Sequence, residues 1–95
     1  MSDNVSDYPT DLRRKRILFR ATHRGTKEAD AIVGGYFTVA AATIPEAKLA
    51  EAEDFLEVPD LDILDWVMGR VPVPARWQGT VFDDVLAFYR AMGTT

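Results

Sequence analysis

The densest mixture of ionisable and conformationally special residues runs His23-Arg24-Gly25-Thr26-Lys27-Glu28-Ala29-Asp30. A turn needs the glycine, but it does not need that density of charge. Nucleophilic catalysis requires a base within hydrogen-bond reach of the nucleophile. His23 is the single histidine, and no serine or cysteine stands with it in sequence. Glu28 and Asp30 are two residues apart and point to different faces of a helix, so they do not form an acid–base pair. Gly25 and Gly34-Gly35 lack the spacings of a phosphate-cradling loop. With no cysteine there is neither a disulfide nor a thiolate metal site, and one histidine argues against a metal centre of another kind. The expectation is therefore a protein that is not an enzyme, with no catalytic residues and no metal. The stretch is read as a contact surface.

Length and charge narrow the class. The chain has 95 residues, enough for one small domain that buries roughly 60–65% of its unfolded surface. There is no room for a catalytic domain beside a cofactor domain. Hydrophobic residues make up 47%, a globular share. No apolar run approaches the roughly 20 residues of a membrane span. An apolar signal core is also missing at the N-terminus, so a soluble intracellular protein is expected. The formal net charge is −4, but Leu12 to Lys27 contains seven Lys or Arg and no acid, whereas Ala41 onward contains ten acids and four bases. Nucleic-acid binders are usually basic overall. A chain basic in only one segment points to a local acidic or anionic partner.

Five helical patterns must position the charged stretch. Residues 1–10 read as a flexible tail and 11–93 as a single helical domain. The first helix is capped by Thr10 or Asp11, with Leu12, Phe19 and one of Ile17 or Leu18 as its apolar stripe. Arg13, Arg16 and Arg20 share another face. Gly25 provides a left-handed stop. The second helix has the clearest period, with Ala29, Ile32, Val33, Tyr36, Phe37 and Ala40 inward. Thr26 caps it, Glu28 and Asp30 suit its N-terminal dipole, and Gly34-Gly35 falls off the stripe, implying softness or a close neighbouring backbone. Thr43 and Glu46 form a capping box for the third helix, with Leu49, Ala52, Phe55 and Leu56 inward. Pro59 ends it. Asp60 caps the fourth, which offers Leu61, Leu64 and Met68 on one face and Ile63 and Val67 on the next, and Gly69 closes it. After an extended, proline-bearing connection, Thr80 starts the fifth, with Phe82, Val85, Leu86, Tyr89 and Met92 as its stripe. These patterns predict an all-α, compact five-helix bundle.

Each charged feature also has a plain structural use. Gly25 can be a helix stop alone, Arg13 to Arg20 a solvated face, Glu28 and Asp30 helix-terminus charges, and His23 a surface residue.

The run Arg24-Gly25-Thr26-Lys27-Glu28-Ala29-Asp30 resembles the Arg-Gly-x-x-Glu-x-Asp signature of the SdhE family, the succinate dehydrogenase FAD assembly factors of bacteria and mitochondria. The basic first helix, the apolar helix through Phe37 and the block Asp60 to Met68, which carries Trp66, also fit the family. The resemblance covers roughly residues 12–90. Thr26 stands where methionine or leucine is common, and Gly34-Gly35 where larger residues are expected. The resemblance implies a five-helix assembly factor that binds the flavoprotein subunit of succinate dehydrogenase and promotes covalent attachment of FAD. Fumarate reductase is implied as a related client. Arg24, Gly25, Glu28 and Asp30 are implied as the partner-binding residues, with Arg16, Arg20 and His23 as secondary candidates beside them. No stably bound cofactor, no nucleic acid and a monomeric free state are expected. The compartment would be the bacterial cytoplasm, or the mitochondrial matrix for a processed eukaryotic form. The competing expectation is a small adaptor that binds another acidic protein or a nucleic acid through its basic first helix.

Overall fold

In the computed structural model, which describes residues 8–93, five helices follow one another with no strand among the described residues. Helix α1 spans Thr10–Ala21. Helix α2 is continuous but uneven: Lys27–Ala29, a wide π turn over Asp30–Gly34, then Gly35–Ala40. A 3₁₀ turn at Glu46–Lys48 leads into α3, Leu49–Phe55. Helix α4 is Asp60–Val67 and α5 is Val81–Met92, with a 3₁₀ turn at Ala75–Trp77 between them. Of the tail expected over 1–10, residues 1–7 lie outside the described residues, and Thr10 is already helical.

The core forms where the apolar stripes of α2, α3 and α5 meet. Phe37, Phe55 and Phe82 are fully buried, with Ile17, Leu49 and Ile63 around them. Trp77 lies edge-on to Phe55, and Trp66 edge-on to Phe82. Helix α1 packs on α2 and α3, while the first turn of α2 meets α4. Two caps form as the sequence implies. Thr26 Oγ1 accepts from the Ala29 N–H, and Thr80 Oγ1 accepts from the Phe82 N–H. Gly25 and Gly69 take positive φ, at 103° and 75°.

Several local expectations are overturned. In α1 the buried residues are Ile17 and Ala21, whereas Leu12 and Phe19 face outward. In this rotation Arg13 turns toward α3 to pair with Glu53, and Arg20 reaches Glu57 in the loop after α3, which leaves the Leu12–Phe19 stripe outward. Neither Thr10 nor Asp11 caps α1, since the N-cap position is taken by Pro9, whose carbonyl accepts from the Arg13 N–H. Thr43 and Glu46 form no capping box. Thr43 Oγ1 instead donates to the Ala40 carbonyl, closing α2, and Pro45 precedes the 3₁₀ turn. Asp60 is not a cap either: Pro59 holds that position. In α4 the buried pair is Ile63 and Val67, leaving Leu61 and Met68 exposed, and in α5 Met92 is exposed.

Gly34 is buried rather than off the stripe. A Cβ there would lie 3.1 Å from the Ala21 carbonyl oxygen, and one at Gly35 would lie 2.9 Å from the Phe88 ring. The paired glycines therefore let α2 approach α1 on one side and α5 on the other, which explains why larger side chains are missing. The π turn over Asp30–Gly34 ends at the first of these glycines.

Candidate functional site: a bolted turn with an exposed edge

The charged stretch divides into residues that build a turn and residues that the turn presents. Arg24 is a builder. Its Nε donates to Asp60 Oδ1 at 2.7 Å, its Nη1 to the Leu56 carbonyl at 2.7 Å and its Nη2 to the Val58 carbonyl at 2.6 Å. The Arg24 side chain is only 8% exposed. These carbonyls follow the C-terminal end of α3, where backbone acceptors lack helical partners and the dipole favours a cation. Arg24 thus bolts the α1–α2 turn to the α3–α4 loop. Asp30 is the second builder, since its Oδ1 accepts from the Arg24 backbone N–H at 2.7 Å and folds the turn back onto α2.

Gly25 and Glu28 are what the turn presents. Both are exposed. Beyond Gly25 itself and its two chain neighbours, no heavy atom lies within 4 Å of a Cβ built there. The space beside it is therefore open, and its constraint within this chain is the positive φ.

Arg13, Arg16 and Arg20 do not form a solvated cationic face. Arg13 makes a bidentate pair with Glu53, at 3.0 Å from Nε and 2.6 Å from Nη2. Hydrogen bonding to Glu53 is the main reason the Arg13 guanidinium is held above its ordinary value, with burial opposing it. Arg20 pairs with Glu57 at 2.6 Å. Together with Arg24 and Asp60, these pairs run along the contact between α1 with its following turn and α3 with its following loop. Arg14 donates to the Ala41 carbonyl. Arg16 alone of the three turns outward and lies over the Tyr8 ring. Three of the seven cations between Leu12 and Lys27 are thus paired with acids from later in the chain.

His23 is exposed, and its ring stacks on Phe19 with centroids 3.9 Å apart. Its Nδ1 lies 2.7 Å from the Phe19 carbonyl oxygen, which can only accept, so Nδ1 carries the hydrogen. Phe19, Arg20, His23 and Arg24 line an open cleft of about 460 Å³ together with the loop from Leu56 to Asp60. Among the described residues no group of three or more His, Asp or Glu is placed to hold a metal ion. No helix is long and apolar enough to cross a membrane.

The structure brings Arg24, Gly25, Glu28 and Asp30 into one turn, with Arg20 and His23 beside it, while Arg16 sits further along α1. Sequence reasoning missed Asp60 as the partner of Arg24. The signal was available in the resemblance, where the block beginning at Asp60 accompanies the Arg-Gly signature. The inward course of Arg24 had no signal in its spacing.

Comparison with known proteins identifies the family. Residues 15–89 match the family described as the flavinator of succinate dehydrogenase. The FAD assembly factor SdhE of Acetobacter pasteurianus is 45% identical over 73 residues, covering 77% of this chain and 67% of that protein. The mitochondrial succinate dehydrogenase assembly factor 2 of Mycosarcoma maydis is 36% identical over 62 residues, and that of Dictyostelium discoideum 29% over 68. This chain spans only 26% and 48% of those two longer relatives. The matched region contains all five helices except the first turns of α1 and the end of α5, and it includes the whole bolted turn, so the chain belongs to the family of flavinators of succinate dehydrogenase.

Proposed function

We propose that this chain is an assembly factor that binds the flavoprotein subunit of succinate dehydrogenase and promotes covalent attachment of FAD to a histidine of that subunit. The observation that carries this reading is the family match across the folded region, with the signature turn intact inside it. Gly25 and Glu28 make the direct contact. Arg24 and Asp30 hold the turn in the shape that presents them, and Arg20 and His23 border it. The chain supplies no catalytic group. Its part is to hold the flavoprotein in a conformation where the flavin and the acceptor histidine are aligned, so that bond formation is the flavoprotein's own chemistry helped by orientation. FAD is handled through the partner, and the free chain is a monomer without a stable cofactor. The fumarate reductase flavoprotein is a second client. The compartment is the one that holds the new flavoprotein, either the bacterial cytoplasm or the mitochondrial matrix.

The adaptor reading loses its main support, because Arg13, Arg20 and Arg24 are engaged by Glu53, Glu57 and Asp60. The test is a binding titration of the purified flavoprotein subunit at several salt concentrations. A phosphate-backbone binder that neutralises Z phosphates has a log–log salt slope near −0.9Z. The expected result is saturable flavoprotein binding with weak salt dependence. Binding to nucleic acid with a steep slope, and none to the flavoprotein, would favour the adaptor.

A further inference from the structure

One face of α1 leaves two large apolar side chains uncovered among cations. Leu12 and Phe19 fall at i and i+7 with Lys15 and Arg16 between them, His23 follows just beyond the end of the helix, and Phe19 is 61% exposed. A single exposed apolar side chain is ordinary. Three observations set Phe19 apart.

The first is rigidity. The Phe19 ring is stacked on His23, and the imidazole is tied back to the Phe19 carbonyl. An exposed side chain already held in place loses less freedom when it is covered. The second is position. Lys15, Arg16 and Arg20 surround Phe19 in a shallow recess, and Phe19 with His23 also walls the cleft that runs to Val58 and Pro59. This is the loop that Arg24 grips, so the Phe19 face is continuous with the signature turn. The third is charge. Arg13, Arg20 and Arg24 are ion-paired, whereas among the described residues neither Lys15 nor Arg16 has an ion pair, and Arg16 lies over the Tyr8 ring. Of the four cations between Leu12 and Lys27 without an ion pair among the described residues, Arg14 donates to the Ala41 carbonyl and Lys27 lies at the start of α2, while Lys15 and Arg16 flank the exposed ring.

We infer that Phe19 is the anchor of the docking surface, held in position by His23. Its occupant is the flavoprotein subunit, which offers an apolar socket for the ring, bordered by carboxylates that meet Lys15 and Arg16. An aromatic centre with a charged rim is the arrangement that concentrates binding energy at protein interfaces. This inference rests on the functional reading above and extends the contact from the turn along α1.

The test uses the full chain and the purified flavoprotein subunit. Phe19→Ala is expected to melt close to wild type, because the ring is largely in water, yet to weaken binding by about thirtyfold or more, as loss of an interface anchor does. Reversing the rim with Lys15→Glu and Arg16→Glu is expected to slow association and to change its salt dependence. Hydroxyl-radical footprinting of the wild-type complex is expected to protect the Phe19 ring, a readout independent of how any variant folds. Wild-type binding that Phe19→Ala changes by less than about twofold, below the threshold of an anchor, overturns the inference and leaves the functional reading standing. A reactive, unprotected Phe19 in the complex does the same. Failure of the wild type to bind the flavoprotein overturns the functional reading, and the assigned partner falls with it. Nucleic acid binding to this face in its place would also overturn the assignment.

Discussion

Replacing Arg24 by methionine keeps most of the stem and removes the guanidinium. Three interactions vanish together: the 2.7 Å ion pair with Asp60 and the donations to the Leu56 and Val58 carbonyls at 2.7 and 2.6 Å. The Arg24 and Asp60 side chains are 8% and 17% exposed, so water reaches the stranded groups poorly. Removing one member of a buried pair costs about 3–5 kcal/mol, much of it from the charge left behind. The partial exposure of Asp60 favours the lower end, about 3 kcal/mol. A domain of this size has a stability of about 5–15 kcal/mol. At about 4–8 °C per kcal/mol, the melting temperature should fall by about 12–24 °C. Circular dichroism melts with urea titrations on the same samples measure this. Arg24→Lys should recover little, since one ammonium cannot reproduce a planar fork with three acceptors. Arg24→Met combined with Asp60→Leu should be more stable than Arg24→Met alone, because no carboxylate is then stranded. An Arg24→Met protein that melts within a few degrees of wild type would refute the bolt.

The other residues of the turn should separate folding from binding. Gly25→Ala should cost about 1–2 kcal/mol through its positive φ alone, since a Cβ meets no neighbour. Gly25→Arg should pay a similar folding cost but lose flavoprotein binding well beyond its unfolded fraction, which melts and titrations on one sample will reveal. Glu28→Ala should melt near wild type yet impair covalent flavin attachment; a variant that supports attachment fully would remove Glu28 from the contact. Burial, followed by the nearby Asp84 carboxylate, raises the Tyr36 phenol above its ordinary 10.0. A group whose folded pKa is raised stabilises the fold below its unfolded value and loses that contribution as pH climbs through the folded one. Stability should therefore decline above pH 10, and Tyr36→Phe should flatten that alkaline limb in denaturant titrations.

The five helices were legible because α2, α3 and α5 carry apolar residues at strict helical spacing, with Thr26, Thr80 and Gly69 as terminal signals. The buried face of α1 was not legible. Its apolar residues suggest two stripes, and the rotation seen in the structure turns Arg13 in to Glu53 on α3 and brings Arg20 to Glu57 in the loop that follows. Periodicity within one helix cannot report carboxylates some 37 to 40 positions away. The same limit applies to Asp60, whose place after Pro59 suits a cap until Arg24 claims its carboxylate. At the candidate site the residue types were visible in the signature, but their division of labour was not. Arg24 and Asp30 turn inward to shape the loop, while Gly25 and Glu28 remain at its edge.

The most direct test of the proposed function is covalent flavin on the flavoprotein subunit itself. Purified apo-flavoprotein and FAD are incubated with and without this chain, and in-gel flavin fluorescence is read after denaturation. The expected result is a fluorescent flavoprotein band that rises with wild type and stays near background with Gly25→Arg or Glu28→Ala. A band equally strong without the chain, or absent despite it, would contradict the proposed role.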